Sequence, residues 1–213
     1  INNYKILDIP IHALQPESAM ESVLDWLNKK DRFYYINSAN ANNVINAIES
    51  KKYRAVMDHA DINLPDSVPF LWLGRIKGYK LFHRCGIQEV MELCFELSNT
   101  GNNYKHYFYG NTNDVLVKMK EQLIIQYPKL NIVGMYSPPF RELSNKENKE
   151  IIENINNAAP DFLWVSLGCP KQEQWIFDHR KELNPMIASG AGAVFNFIAG
   201  ETSRAPKWIQ YSG

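Results

Sequence analysis

Short apolar runs that stop abruptly at Gly, Pro or Asn constrain this chain more than any other feature. The sharpest is Phe162-Leu163-Trp164-Val165-Ser166-Leu167, which breaks at Gly168 and Pro170 and turns polar at Lys171-Gln172-Glu173. A run of this kind reads as a buried strand entering a tight loop. Phe33–Ile36 ends at Asn37-Ser38-Ala39-Asn40, and Ile62-Asn63-Leu64 ends at Pro65-Asp66-Ser67. Tyr104–Tyr109 runs into Gly110-Asn111-Thr112-Asn113, Met186–Ser189 runs into Gly190-Ala191-Gly192, and Leu130–Gly134 supplies one more strand. Helical spacing fills the intervals: Pro16 to Lys30, the stretch around Val44, Ile45 and Ile48, Val90–Leu97, Asp114–Tyr127, Ser144 through Ile155, and Gln172–Leu183. Ser18-x-x-Glu21 and Ser144-x-x-Glu147 have the form of capping boxes. Strands alternating with helices predict βαβ units, hence an α/β fold with a mainly parallel sheet flanked by helices. No repeat or linker divides the chain, so residues 1–213 are expected to form a single domain with two halves, 1–100 and 101–213.

Composition excludes several classes. The 213 residues carry 23 Lys plus Arg against 23 Asp plus Glu, and this balance argues against a nucleic-acid partner. Cys85, Cys94 and Cys169 are odd in number and show no CxxC spacing, so neither a disulfide framework nor a structural zinc site is expected. That usage fits a reducing, cytoplasmic setting. No apolar run approaches the ~18 residues of a membrane span.

In open parallel sheets, ligands bind beyond the carboxyl ends of the strands. The polar residues just listed are therefore site candidates. Asp66 is placed to act as a general base, although a Pro-Asp-Ser turn also uses Asp for its own backbone bonding. Ser38, Asn40 and Gln172 add neutral hydrogen-bonding groups suited to a sugar or nucleoside, with helix capping as the plain alternative. In His83-Arg84-Cys85-Gly86 a guanidinium lies beside a Gly turn, which suits a phosphate as well as a surface ion pair. Arg204 lies in a further loop. Gly190-Ala191-Gly192-Ala193-Val194-Phe195 is only a partial dinucleotide fingerprint, yet its amides could cradle a phosphate. Cys169 reads as a packed residue rather than a nucleophile, since no base adjoins it in sequence. There is no GxxxxGK[ST], GxSxG, HExxH or Asp-x-Asp pattern. A non-catalytic sugar- or nucleotide-binding module remains compatible with these groups, and a nucleotide-dependent oxidoreductase less so.

Several segments together resemble one family. They are Ser38-x-Asn40, Leu64-Pro65-Asp66, Tyr127-Pro128-x-Leu130-x-Ile132-Val133-Gly134, Ser137-Pro138-Pro139-Phe140-Arg141, Leu167-Gly168-x-Pro170-Lys171-Gln172-Glu173-x-Trp175, and Ala199-Gly200 with Arg204-Ala205-Pro206-x-Trp208. The set, which spans essentially the whole chain, resembles the WecG/TagA/CpsF glycosyltransferases, glycosyltransferase family 26. The resemblance implies a Rossmann-like α/β domain and a bacterial enzyme of surface-polysaccharide synthesis. It implies inverting, metal-independent transfer of a hexose, of N-acetylmannosamine type or related, from a UDP-sugar to a polyprenyl-diphosphate-linked sugar. No cofactor is implied beyond the UDP-sugar donor, and a homo-oligomer is left open. By position, Asp66 matches the base, Arg84 the pocket Arg, Asn40 the pocket Asn and Gln172 the pocket Gln. Ser38 stands where Thr is usual. Ser67, Gln88, Asn196 and the Arg84-x-Gly86 spacing depart from the pattern, and the spacing leaves His83 as an alternative to Arg84. The family continues with a basic, aromatic tail that meets the inner face of the membrane, and this chain is expected to end before it. The acceptor would meet the half 1–100, and the uridine diphosphate would lie near Gly110, Gly168 and Gly190 in the half 101–213. Arg84 and Arg204 would face the leaving diphosphate.

Overall fold

The computed structural model describes residues 1–184 and 186–203. It opens with an antiparallel hairpin of β1 (Asn3–Ile6) and β2 (Ile9–His12). Leu7 and Asp8 join the strands with φ of 48° and 65°, the positive pair a two-residue type I′ turn requires. Six further strands follow: β3 (Tyr34–Ala39), β4 (Ile62–Pro65), β5 (Lys105–Gly110), β6 (Asn131–Tyr136), β7 (Phe162–Ser166) and β8 (Ile187–Gly190). They form one sheet in the order β4-β3-β8-β7-β5-β6, and every neighbouring pair is parallel. Because β3 pairs with β8, the two halves of the sequence share this sheet rather than building one each.

Helices cover both faces. Successive side chains of a strand point to opposite sides, and β7 shows the result. Phe162 and Trp164 pack into the layer formed with α1 (Pro16–Lys29), α5 (Ile87–Asn99), α6 (Asn113–Gln126) and α9 (Val194–Ile198). Leu163 and Val165 pack into the opposite layer, with α2 (Ala41–Glu49), α3 (Lys51–Asp58), α4 (Val68–Ile76), α7 (Asn145–Ala158), α8 (Lys171–His179) and the hairpin. All five β7 residues are buried, as expected of a strand in the interior of a parallel sheet. The hairpin seals the β4 edge, where the Asn63 amide donates to His12 Nδ1 at 2.8 Å.

The structure bears out the α/β, parallel-sheet expectation and moves several boundaries. β3 extends to Ala39, so Asn37 and Ser38 belong to the strand and not to a loop. Helix α1 begins at Pro16 as expected, but Ser18 sits inside its first turn and not at the cap. Its N-cap is Gln15, whose amide donates to Ser18 Oγ at 2.9 Å. Helix α8 stops at His179, short of Leu183. The Ser144 capping box holds as read.

One buried polar pair inside the first layer has a defined protonation. Trp164 Nε1 can only donate, and it lies 3.1 Å from His106 Nδ1, which must therefore accept. His106 Nε2 then carries the proton and donates to Ser98 Oγ at 2.7 Å, while Ser98 donates onward to the Cys94 carbonyl. Burial pushes the His106 pKa down to about 3 and, as the largest cause, the His12 pKa down to about 4. Both depressed values favour the neutral, folded state. The stability they contribute is complete above the unfolded value of ~6.5 and is lost as pH falls from there toward the folded values. Urea midpoints should therefore fall between pH 7 and pH 5, above the carboxylate range. His106→Gln, which keeps an acceptor and a donor but cannot titrate, should shallow that slope; an unchanged slope would contradict the assignment.

Candidate functional site

All six parallel strands finish on one edge, and there the chain forms a cleft of about 1720 Å3. A pocket for one small ligand spans roughly 300–1,000 Å3, so this cleft has room for two substrates.

One wall is built from the ends of β3 and β4. The Asp66 amide donates to the Ala39 carbonyl at 3.0 Å, which ties the residue after β4 to the end of β3. Ser38 Oγ donates to Asp66 Oδ2 at 2.7 Å, and Arg84 Nη1 donates to Oδ1 at 3.0 Å. These two donors fix the plane of the carboxylate, while 20% of the Asp66 side chain stays open to the cleft. Arg84 Nη2 also reaches Glu89 Oε1 at 3.4 Å, and Glu89 Oε2 accepts the Gly86 amide at 3.0 Å at the start of α5. Gly86 is the extended N-cap of α5 and not a turn as expected from sequence, but a glycine suits it, because a Cβ there would sit 2.4 Å from Asp66 Oδ1. Arg84, and not His83, lines the cleft. Asn40 lines it too, while its Oδ1 caps α2 by accepting the Asn43 amide at 3.1 Å.

The opposite wall comes from β5, β7 and β8. Gly110 has a φ of 113°, and a Cβ there would lie 2.2 Å from the Ser166 carbonyl oxygen. The next amide, Asn111, donates to that same oxygen at 2.8 Å, and its side chain donates to Asn196 Oδ1 at 3.0 Å. Ser166 Oγ donates to the Gly192 carbonyl at 2.8 Å, so the three strand ends are stitched together. Gly168, with φ of 80°, opens the loop into α8. Asn111 and Ser166 were not singled out from sequence. Their signal was position alone, immediately after and at the end of a strand.

Gln172 is 4% exposed, and its amide is committed on both sides. Nε2 donates to Glu173 Oε1 at 2.7 Å, and Oε1 accepts the Gly192 amide at 3.2 Å. A carboxyl acceptor on one side and an N–H on the other dictate which end of the amide is which. Gln172 thus braces the Gly190–Gly192 loop as well as lining the cleft. Glu173 stands in the first turn of α8 and is 3% exposed. Burial pushes its carboxyl pKa up, against the hydrogen bonds from Gln172, its own backbone and Cys169 that pull it down. Cys169 borders the same cluster. Cys169 is exposed, which corrects its reading as a packed residue. Partial desolvation of the thiol, and then the Glu173 charge, still push it up to about 11, in keeping with a residue that is not a thiolate nucleophile.

Arg204 and the RAP-x-W segment lie outside the described residues. Among the described residues, no three His, Cys, Asp or Glu side chains are grouped as a metal site, and no helix is long and apolar enough to cross a membrane. The brace makes a clean energetic expectation. A Cβ on Gly190 would fall 2.7 Å from Gln172 Nε2. Gly190→Ala should cost on the order of 1–3 kcal/mol by overpacking, and almost none of that in a Gln172→Ala background. Urea unfolding of the four proteins in this double-mutant cycle checks it, and additive costs would refute the contact as the cause.

Comparison with known proteins identifies the family. A profile of the Glycosyl transferase WecG/TagA/CpsF family matches residues 4–213. An N-acetylglucosaminyldiphosphoundecaprenol N-acetyl-beta-D-mannosaminyltransferase of Bacillus subtilis (strain 168) is 26% identical over 198 residues, covering 90% of this chain and 74% of that protein. Enzymes of the same name from Bacillus spizizenii and from Staphylococcus aureus (strain NCTC 8325 / PS 47) are 26% and 25% identical, covering 82% and 84% of this chain and 66% and 68% of their own lengths. With the profile match running through both walls of the cleft, the chain belongs to the WecG/TagA/CpsF family of glycosyltransferases.

Proposed function

We propose that this glycosyltransferase moves a hexose of N-acetylmannosamine type from a UDP-sugar to a polyprenyl-diphosphate-linked sugar, with inversion and without a bound metal. The observation that carries the reading is the Asp66 carboxylate. It is oriented by Ser38 and Arg84 yet open to a cleft large enough for two substrates. The names of the relatives support the lipid-linked acceptor and the sugar class.

In this reading the acceptor enters along the β3–β4 wall, in the half 1–100. The donor lies along the glycine-bearing ends of β5, β7 and β8, in the half 101–213. Asp66 takes the proton of the acceptor hydroxyl as that oxygen bonds to the anomeric carbon. The bond from that carbon to the β-phosphate oxygen breaks on the opposite face, and UDP leaves with the electron pair. One displacement of this kind inverts the centre. Ser38 and Arg84 hold the base on line, while the charge that grows on the diphosphate needs cations, because the Ala191 and Gly192 amides, expected from sequence to cradle a phosphate, are committed to the Val165 carbonyl and to Gln172 Oε1. Arg84 adds positive charge to the same cleft, and Arg204 remains a candidate for that role. In this reading the enzyme works in the cytoplasm, peripheral to the inner face of the plasma membrane.

Asp66→Asn should lower turnover ~10²-fold or more, the scale of a lost general base, while leaving UDP binding intact by calorimetry. Turnover at the wild-type rate would sink the assignment. Arg84→Ala should raise donor KM and lower kcat together, since it touches both the base and the cleft. UDP release that depends on added acceptor separates transfer from mere sugar or nucleotide binding, and divalent-cation titration of that release tests metal independence.

A further inference from the structure

Helix α4 is apolar on both sides, although only one side is buried. Phe70, Leu71 and Gly74 face the core, while Trp72 (51% exposed), Leu73 (39%) and Ile76 (81%) face out. The loop after the helix adds Phe82, 63% exposed. Arg75 holds that loop against the helix by donating to the carbonyls of Leu81 and Phe82. The apolar residues therefore form one patch and are not scattered singly. Contiguous exposed apolar surface of this kind marks an interaction site.

The charge around the patch is one-sided. Between Asp66 and Glu89 the chain contains no acidic residue, yet it carries Arg75, Lys77, Lys80 and Arg84. Arg84 turns inward to Asp66, and the other three are exposed and adjoin the apolar residues in sequence. An interfacial helix has this combination of aromatic and aliphatic residues with a basic rim, and weak apolar insertion is completed by attraction to anionic headgroups. A second copy of the chain fits less well, since a two-fold contact would set this acid-free rim against itself. The first turn of α4 bears on the cleft directly, because Val68 and Pro69 line it beside Asp66.

We propose that the outer face of α4, with Phe82 and the basic residues Arg75, Lys77 and Lys80, docks on an anionic lipid bilayer and holds the Asp66 side of the cleft at headgroup level. The inference deepens the reading of a lipid-linked acceptor, but it stands on this surface alone. Flotation with vesicles of phosphatidylglycerol and phosphatidylcholine should show binding that weakens with salt, and little binding to pure phosphatidylcholine. Trp72→Glu with Ile76→Glu should weaken that binding by about 10-fold or more, and Lys77→Glu with Lys80→Glu by on the order of 10-fold. Both should keep the far-UV CD spectrum and UDP affinity of the parent. Equal binding by parent and variants, or equal binding to neutral vesicles, would overturn the proposal. So would a dimer that Ile76→Glu dissociates, since the face would then join two copies. Transfer to a short-chain, water-soluble acceptor keeps the two readings apart. Docking stands if that transfer fails but vesicle binding depends on α4, whereas loss of docking with transfer intact leaves the proposed reaction in place.

Discussion

Covering a parallel sheet on both faces is the constraint from which the rest of this structure follows. Once helices bury both sides of β7, a polar group along the strand must find a partner inside the protein or be absent. His106, on the neighbouring strand β5, follows that rule, since both ring nitrogens are satisfied by Trp164 and Ser98. Groups that must meet a substrate are therefore driven to the strand ends, where backbone and side chains become accessible together. The cleft is the place where Ser38, Asp66, Ser166 and Gly190 all emerge from a shared sheet.

Three glycines shape that edge by what they lack. Gly86 lets Asp66 approach the start of α5, Gly110 lets β5 close on the end of β7, and Gly190 leaves space for the Gln172 amide. In each case a polar side chain or carbonyl occupies the volume a Cβ would need. The cleft's polar groups are thus positioned by steric allowance as much as by hydrogen bonds, and neither wall can be rebuilt one residue at a time.

Much of this was legible in the chain. Apolar runs such as Phe162–Leu167 end where polarity changes sharply, so strand ends and their exposed residues could be read together. Asp66, Ser38 and Asn40 lie together along one wall of the cleft because each belongs to or follows the end of a strand of one parallel sheet, and Arg84 joins them from the connection that leads into α5. The hairpin escaped because Leu7-Asp8 is not a common turn signature, although Asp tolerates positive φ. Helix α4 escaped because Val68–Ile76 lacks the polar face that gives a helix its period. The double commitment of Gln172 was beyond sequence, since it depends on Gly192 lying on another strand's loop. Glu173 divides the same way: its place in the first turn of α8 is readable from the sequence, its burial is not.

The His12–Asn63 contact carries a consequence for how this sheet behaves in a crowded solution. β4 is a terminal strand of the sheet, and such a strand offers unpaired amides to any passing extended chain. Here a side chain from the β1–β2 hairpin takes the Asn63 amide, and the hairpin packs along that border. The first dozen residues therefore act as a guard against strand-to-strand polymerisation. Trimming them would create an adhesive margin while leaving the catalytic cleft's own residues in the chain.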